Sequence, residues 1–272
     1  MSDYYSKIDK YNNATKSLGD YYEGQTVGEI WGYVTEGLFK DQADIDSHAS
    51  QKLIKSSNQK WYPGDVKFKD LDDNHVIDYG TNTLADHGDK KVIGNSLPRY
   101  IYSFTVNADW NNIFLSAFFQ GVGKQDWYPS AESMFWGQYN RPYNNLPKWH
   151  LGNYWTEDNP NAYLPRYSGY NNSLKGTPQT RYLQNVAYLR LKNLQIGYTL
   201  PKQWISKLSI QDAKIYLSGE NLFCWSPLYK HTRDLDVTNI NGSDPDLTDG
   251  GSGDGNSYPQ MKSVSIGLSL TF

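Results

Sequence analysis

The sequence predicts an all-β chain of antiparallel strands whose long loops gather at one end, and three observations carry that prediction. The last ten residues alternate with period two: Val264, Ile266, Leu268, Leu270 and Phe272 are apolar, with Ser, Gly or Thr between them. Successive side chains of a strand point to opposite faces, so this is a strand with one apolar face. Two more alternating runs, Tyr100 to Trp110 and Ile113 to Phe119, are separated only by Asn111-Asn112. Asn tolerates the positive φ of a tight turn, so the pair reads as a β-hairpin. The connections then alternate between short and long: Asn111-Asn112, residues 123–184, residues 201–212 and residues 226–257. Short turns at one end and long loops at the other are the pattern of outer-membrane barrels, whereas a soluble sandwich has no reason to segregate loop lengths.

Composition sets the limits within which this holds. At 272 residues the chain is long enough for one large all-β domain or two smaller ones. No segment approaches 18 consecutive apolar residues, which excludes a membrane-spanning helix. A mean hydropathy of −0.72 leaves a membrane barrel open, because barrel strands are apolar on one face only and their outer loops are polar. Net charge is −3, with no electrostatic footprint for nucleic acid. Cys224 is the single cysteine, so neither an intrachain disulfide nor a zinc-cysteine cluster is available. Aromatics make up 15%, chiefly 23 Tyr and 9 Trp. Such side chains, apolar with a polar tip, suit interfaces, membrane girdles and sugar-binding surfaces, and equally a Tyr-rich sandwich core. Met1 to Lys10 carries no apolar run and is not a secretory signal peptide. Read literally it starts a cytoplasmic protein; the other reading is a fragment of a longer exported precursor.

In chain order, residues 1–25 are polar and Tyr-rich without a period. Thr26 to Phe39 mixes Gly, aromatics and β-branched residues, which predicts a short strand or turn-rich segment. Asp41 to Lys55 is the best helix candidate, with Ala43, Ile45, Ala49 and Leu53 able to share a face. Trp61 to Asn95 reads as loop-rich. After the hairpin, residues 123–184 form a connection dense in Trp, Tyr, Asn and Pro, of a length that is usually functional. Ala187 to Leu200 is strand-like, with Leu194, Ile196, Tyr198 and Leu200 on one face, and Pro201 ends it. Ala213 to Trp225 is another strand. Asp244 to Gly255 is acidic and Gly-rich, and the terminal strand closes the chain. These strands, about six, are fewer than the roughly 22 that close the larger outer-membrane transporters.

Several stretches, taken together and in order, resemble the carboxy-terminal barrel segment of SusC-like (SusC/RagA-type) TonB-dependent outer-membrane transporters of Bacteroidota. They include Gly28-Glu29-Ile30-Trp31-Gly32-Tyr33, Pro63-Gly64-Asp65-Val66 and Val92-Ile93-Gly94-Asn95-Ser96-Leu97-Pro98. Further along are Tyr188-Leu189-Arg190-Leu191, Gly197-Tyr198-Thr199-Leu200-Pro201, Ser218-Gly219-Glu220-Asn221-Leu222-Phe223, Tyr258-Pro259-Gln260 and the final strand. The resemblance covers residues 24–272. It implies antiparallel strands forming part of a plugged transmembrane β-barrel in the cell outer membrane, with long extracellular loops. It also implies import of an oligosaccharide or peptide, energy from TonB through an upstream region, outer-membrane lipid around the barrel, and a SusD-like lipoprotein as lid. Plug, TonB box and signal peptide would lie upstream of Met1. Within the last strand, the resemblance implies a barrel-assembly signal at Gly267, Leu270 and Phe272.

The candidate sites are few. Asp70, Asp72, Asn74, Val76 (through its carbonyl) and Asp78 occupy positions 1, 3, 5, 7 and 9 of an EF-hand-type loop, a spacing that turns oxygens inward on Ca²⁺. His75 replaces the usual Gly and Thr81 the usual bidentate acid, which leaves a weak site or a solvated acidic turn. Trp127, Tyr128, Trp136, Tyr139, Trp149 and Trp155 crowd the long loop, where flat rings would stack on a glycan or contact the lid, or pack the loop on itself. Scattered histidines with no metal spacing give no zinc or triad site, so no enzyme is expected. The competing reading is a soluble β-sandwich that binds carbohydrate through the same loop aromatics.

Overall fold

The computed structural model describes residues 6–51, 54, 60–130, 133–139, 141–169, 171–175, 177–206, 209–240 and 259–272. Leu53, Lys55, Tyr258 and the Asp244 to Gly255 run lie outside the described residues. Among the described residues, eleven strands and three short α-helices occur in this order: β1 (Glu29–Tyr33), β2 (Thr35–Leu38), α1 (Gln42–Ser47), β3 (Val66–Phe68), β4 (Lys90–Asn95), β5 (Ile101–Trp110), β6 (Ile113–Val122) and β7 (Asp126–Trp127). Then follow α2 (Asn172–Lys175), β8 (Gln184–Asn185), β9 (Tyr188–Thr199), α3 (Lys202–Ile205), β10 (Asp212–Trp225) and β11 (Ser263–Thr271).

One five-stranded antiparallel sheet dominates, in the order β11-β10-β9-β6-β5. Its hairpin is the one the Asn pair announces. Asn111 and Asn112 take φ of 48° and 67°, the left-handed geometry that a two-residue turn needs to match strand twist. The register places this turn and the 200–211 link together, since the Thr199 N–H donates to the Asn112 carbonyl and the Gln211 N–H to the Thr271 carbonyl. At the opposite end, Val122 pairs with Tyr188 and Trp225 with Leu189. Both long connections leave from there.

The hydrophobic core sits in those connections and in the segment before β5, rather than on the sheet. Tyr33, Phe39, Val66, Phe68, Phe135, Trp136, Leu164, Tyr182, Leu228 and Ile240 belong to one buried cluster. Small two-stranded sheets, β1–β4, β2–β3 and β7–β8, frame it. His150 is fully buried, its Nε2 facing the Phe135 carbonyl at 3.0 Å and its Nδ1 the Tyr167 hydroxyl at 2.7 Å. A carbonyl only accepts, so Nε2 carries the proton and Tyr167 donates to Nδ1. Burial holds this imidazole down at about 4, although the Phe135 carbonyl favours the charged form.

One expectation needs correction. The helix proposed from Asp41 to Lys55 stops after six residues, at Ser47. Asp41 caps it, accepting from the Asp44 N–H at 2.8 Å. Beyond Ser47 tertiary contacts win over periodicity: His48 is extended and reaches the Phe68 carbonyl, and Ser50 bridges to Val76. The loop-rich stretch Trp61 to Asn95 carries two short strands, β3 and β4. Their partners, β2 and β1, lie far enough back in sequence that no local signal marks the pairing.

Candidate functional site

The sheet has two faces of different chemistry, and cross-strand register defines both. Directly opposed residues share a face. One row runs Val106, Ala117, Leu194, Gly219, Val264; another runs Ala108, Leu115, Ile196, Leu217, Ile266. A third runs Trp110, Ile113, Tyr198, Ile215, Leu268. This face is apolar across its whole width, and the described residues leave it uncovered: Ile266 is 78% exposed, Leu268 62% and Leu217 48%. In a soluble sandwich such a face is buried against a second sheet. The opposite face carries Asn107, Ser116, Gln195, Ser218 and Ser265 in one continuous row. Ser218 and Ser265 bond each other at 3.1 Å.

Gly267 belongs to the polar face, in the row Asp109, Phe114, Gly197, Tyr216, Gly267. Large rings and glycines alternate along it. A Cβ on Gly197 would lie 2.5 Å from Phe114 Cζ, and one on Gly267 2.2 Å from Tyr216 Cζ. Each glycine thus lets the neighbouring strand's ring lie flat on the backbone. Leu270 pairs with Ala213 on the apolar face, and Phe272 is exposed beyond the strand end.

The loop aromatics are mostly core. Trp136 is fully buried and gives its indole N–H to the Pro129 carbonyl at 3.2 Å. Tyr139, also fully buried, donates to the Pro165 carbonyl and stacks on Tyr167 with centroids 4.4 Å apart. Trp127 is buried edge-on to Phe135. These three rings present no face to a glycan or lid; packing the long loop on itself uses them up. Tyr128 is half-buried, its hydroxyl on the Leu174 carbonyl at 2.6 Å. Trp149 and Trp155 are half-buried, Trp149 against Phe135 and Trp155 across Gly64. Among the described residues of the long loop, the large apolar groups that are exposed are Met134, Tyr143, Leu146 and Leu151, with Tyr143 74% exposed.

The acidic loop brings together a different set of ligands from the linear motif. Oxygens of Asp70, Asp72 and Asp89 lie within 4.8 Å of one another. Asp70 Oδ2 accepts from the His75 N–H, whereas its buried Oδ1 meets no donor among the described residues. Asp89 is fully buried, accepting from the Leu71 and Asp78 N–H groups. Burial, followed by the Asp72 and Asp70 charges, raises its carboxyl above the usual range despite those two donors. Burial also works against Asp70, but the N–H groups around it hold its carboxyl low. His75 adopts φ of 63°, the left-handed conformation for which such loops normally use Gly. Asp78 is not among the converging carboxyl groups and accepts from the Gly80 N–H at 2.7 Å, while Asn74 accepts from the Val76 N–H. Spacing alone could not have found Asp89, which sits beyond the loop in sequence. Three converging carboxyl groups with a spare buried oxygen fit a hard divalent cation.

No protein-family model matches the chain. Among curated proteins it is similar to TonB-dependent receptor P3 and TonB-dependent receptor P26 of Formosa agariphila, 26% identical to each over 251 residues and 92% of this chain. The chain spans only 22% and 23% of their lengths. Among solved structures it resembles the RagAB peptide transporter, with TM-score 0.55 and 22% identity over 92% of this chain and 23% of that one. The RagAB peptide importer in the open-open state gives TM-score 0.54 at 20% identity. The chain is therefore a relative of TonB-dependent receptors with the fold of part of a transporter barrel, and these relatives are receptors and transporters rather than enzymes.

Proposed function

We propose that residues 1–272 form the carboxy-terminal part of the β-barrel of a SusC-like TonB-dependent importer in the outer membrane. The observation that carries this reading is the sheet with one continuous, uncovered apolar face while the core lies in the loops at one end. Water makes such a face costly, and lipid makes it favourable. The edges β5 and β11 argue the same way, because open N–H and C=O groups cannot stand in hydrocarbon and call for further strands. Plug, TonB-contacting segment and remaining strands belong to the rest of such a protein, and a glycan or peptide is its cargo. A SusD-like lipoprotein lid would meet the exposed Met134, Tyr143 and Leu151, in place of the buried aromatics.

Within this reading the Asp70, Asp72 and Asp89 group holds Ca²⁺ and fixes an extracellular loop, Asp89 supplying the acid that Thr81 does not. The ion would act structurally, by neutralising carboxylates that repel one another. The test of function is fractionation and uptake. The full-length protein should enter the outer-membrane fraction and require detergent to stay dispersed, and deleting its gene should abolish uptake of one oligosaccharide or peptide class. A detergent-independent soluble protein would instead support the carbohydrate-binding sandwich.

A further inference from the structure

A cavity of about 230 Å³ opens at the loop end of the polar face. It is smaller than pockets for drug-sized ligands, which run from roughly 300 to 1,000 Å³, and so suits a single sugar unit or residue. A β-bulge builds one wall. Glu220 pairs with Asn193 and Phe223 with Leu191, so Asn221 and Leu222 of β10 stand opposite the single Lys192 of β9. Bulges re-aim side chains, and here Asn221 takes φ of 52°. Its amide group donates to the Met261 carbonyl at 3.1 Å. Its Oδ1 is buried with no donor among the described residues.

The other wall holds a matching unpaired group. Arg190 is buried, and its terminal nitrogens are engaged by Asp236 and Gln260. Its Nε is buried without an acceptor among the described residues. A buried donor and a buried acceptor without partners among the described residues, on two residues that line one cavity, are costly unless something enters to satisfy them. Charge says what kind of group that is. Arg190, Arg233 and Lys262 line the cavity, against the single carboxylate Asp236. That carboxylate is already spent: Oδ1 accepts from Arg190 and Thr238, and Oδ2 from the Gln260 N–H. Arg233 and Lys262 are exposed and have no carboxylate of their own within the lining.

We infer that this cavity is a subsite for a carboxylate on the imported molecule, with a hydrogen-bond donor beside it. The carboxylate accepts from Arg190 Nε and faces Arg233 and Lys262; the neighbouring donor gives its proton to Asn221 Oδ1. Two sources share this chemistry, a uronic acid with its ring hydroxyls and a peptide carboxy-terminus with its amide N–H. The inference rests on the importer reading and narrows its substrate class.

The experiment is calorimetry on the full-length protein in detergent, with D-glucuronate against D-glucose and N-acetyl-dialanine against its carboxy-terminal amide. The acid of one pair should bind roughly tenfold tighter than its neutral partner, as charge-assisted bonds require, and added salt should weaken it. Whichever pair responds identifies the source. The double variant Arg233→Gln/Lys262→Gln changes only exposed side chains, so it should fold, and it should lose that preference. Asn221→Asp, which places a negative charge against the ligand, should also weaken acid binding. Equal binding of acid and neutral forms, no binding of either acid, or a double variant that keeps the preference would overturn the subsite. Uptake separates this from failure of the importer reading. A gene deletion that leaves all uptake intact sinks the importer, whereas a wild-type subsite result from the double variant sinks only the subsite.

Discussion

Gly267→Ala tests whether the polar-face row of rings and glycines stabilises the sheet. A Cβ there would sit 2.2 Å from Tyr216 Cζ, 2.5 Å from Cε2 and 2.6 Å from Oη. Non-bonded carbons prefer about 3.5–4.0 Å, so the ring must swing away by more than an ångström. Lifting one ring face off the backbone re-exposes about 50 Å², or about 1.2 kcal/mol at 25 cal/mol per Å². An off-rotamer χ adds about 0.5–1.5 kcal/mol. Ala is better than Gly inside a strand by about 0.5–1 kcal/mol, which offsets part of the loss. The expected net cost is about 1–2 kcal/mol. Without the ring the sign reverses, so Gly267→Ala in a Tyr216→Ala background should be neutral or mildly stabilising. The assay is denaturant titration of the full-length protein in detergent, followed by heat-modifiable gel mobility, for both single variants and the double. Additivity within about 0.5 kcal/mol would refute the argument, since it would mean that ring and glycine do not act on one another.

On the apolar face, Leu268→Lys should hinder assembly by about 2–4 kcal/mol near the membrane midplane, whereas Ser269→Lys on the polar face should be mild; the same gel assay reads both, and equal tolerance would mean that no membrane reads the alternation. For the acidic loop, calorimetry should show Ca²⁺ heat that Asp89→Asn abolishes and Asp78→Asn largely keeps, because Asp78 is committed to Gly80; the reverse ranking would restore the linear motif. For His150, the folded value of about 4 lies below the ordinary 6.5, so the unfolded chain binds the extra proton as pH falls. Stability present above pH 6.5 should be lost towards pH 4 by up to about 3 kcal/mol. His150→Gln should remove that slope from pH-dependent unfolding, and an unchanged slope would place its origin elsewhere.

What the sequence determined by itself was the sheet. Strands of nine to fourteen residues whose faces differ must alternate at every position, because a one-residue slip would exchange the faces. Away from the bulges the period survives in β5, β6, β9, β10 and β11 for that reason, and Asn111-Asn112 marks the tight turn that joins β5 to β6. Loop lengths likewise told which end the folded mass occupies. Tertiary structure decided everything that depends on residues distant in sequence. Trp136 and Tyr139 look in the sequence like rings offered to a ligand; only their packing against Tyr182 and Tyr167 shows that they are core. Asp89 joins Asp70 and Asp72 through backbone bonds to Leu71 and Asp78 that no spacing rule contains. The bulge at Asn221 breaks the period of β10 and turns an ordinary motif residue towards Arg190, on the neighbouring strand. Periodicity records which face a side chain takes, since that is a property of the local backbone. It does not record which distant side chains meet there, because those contacts arise only when the loops close.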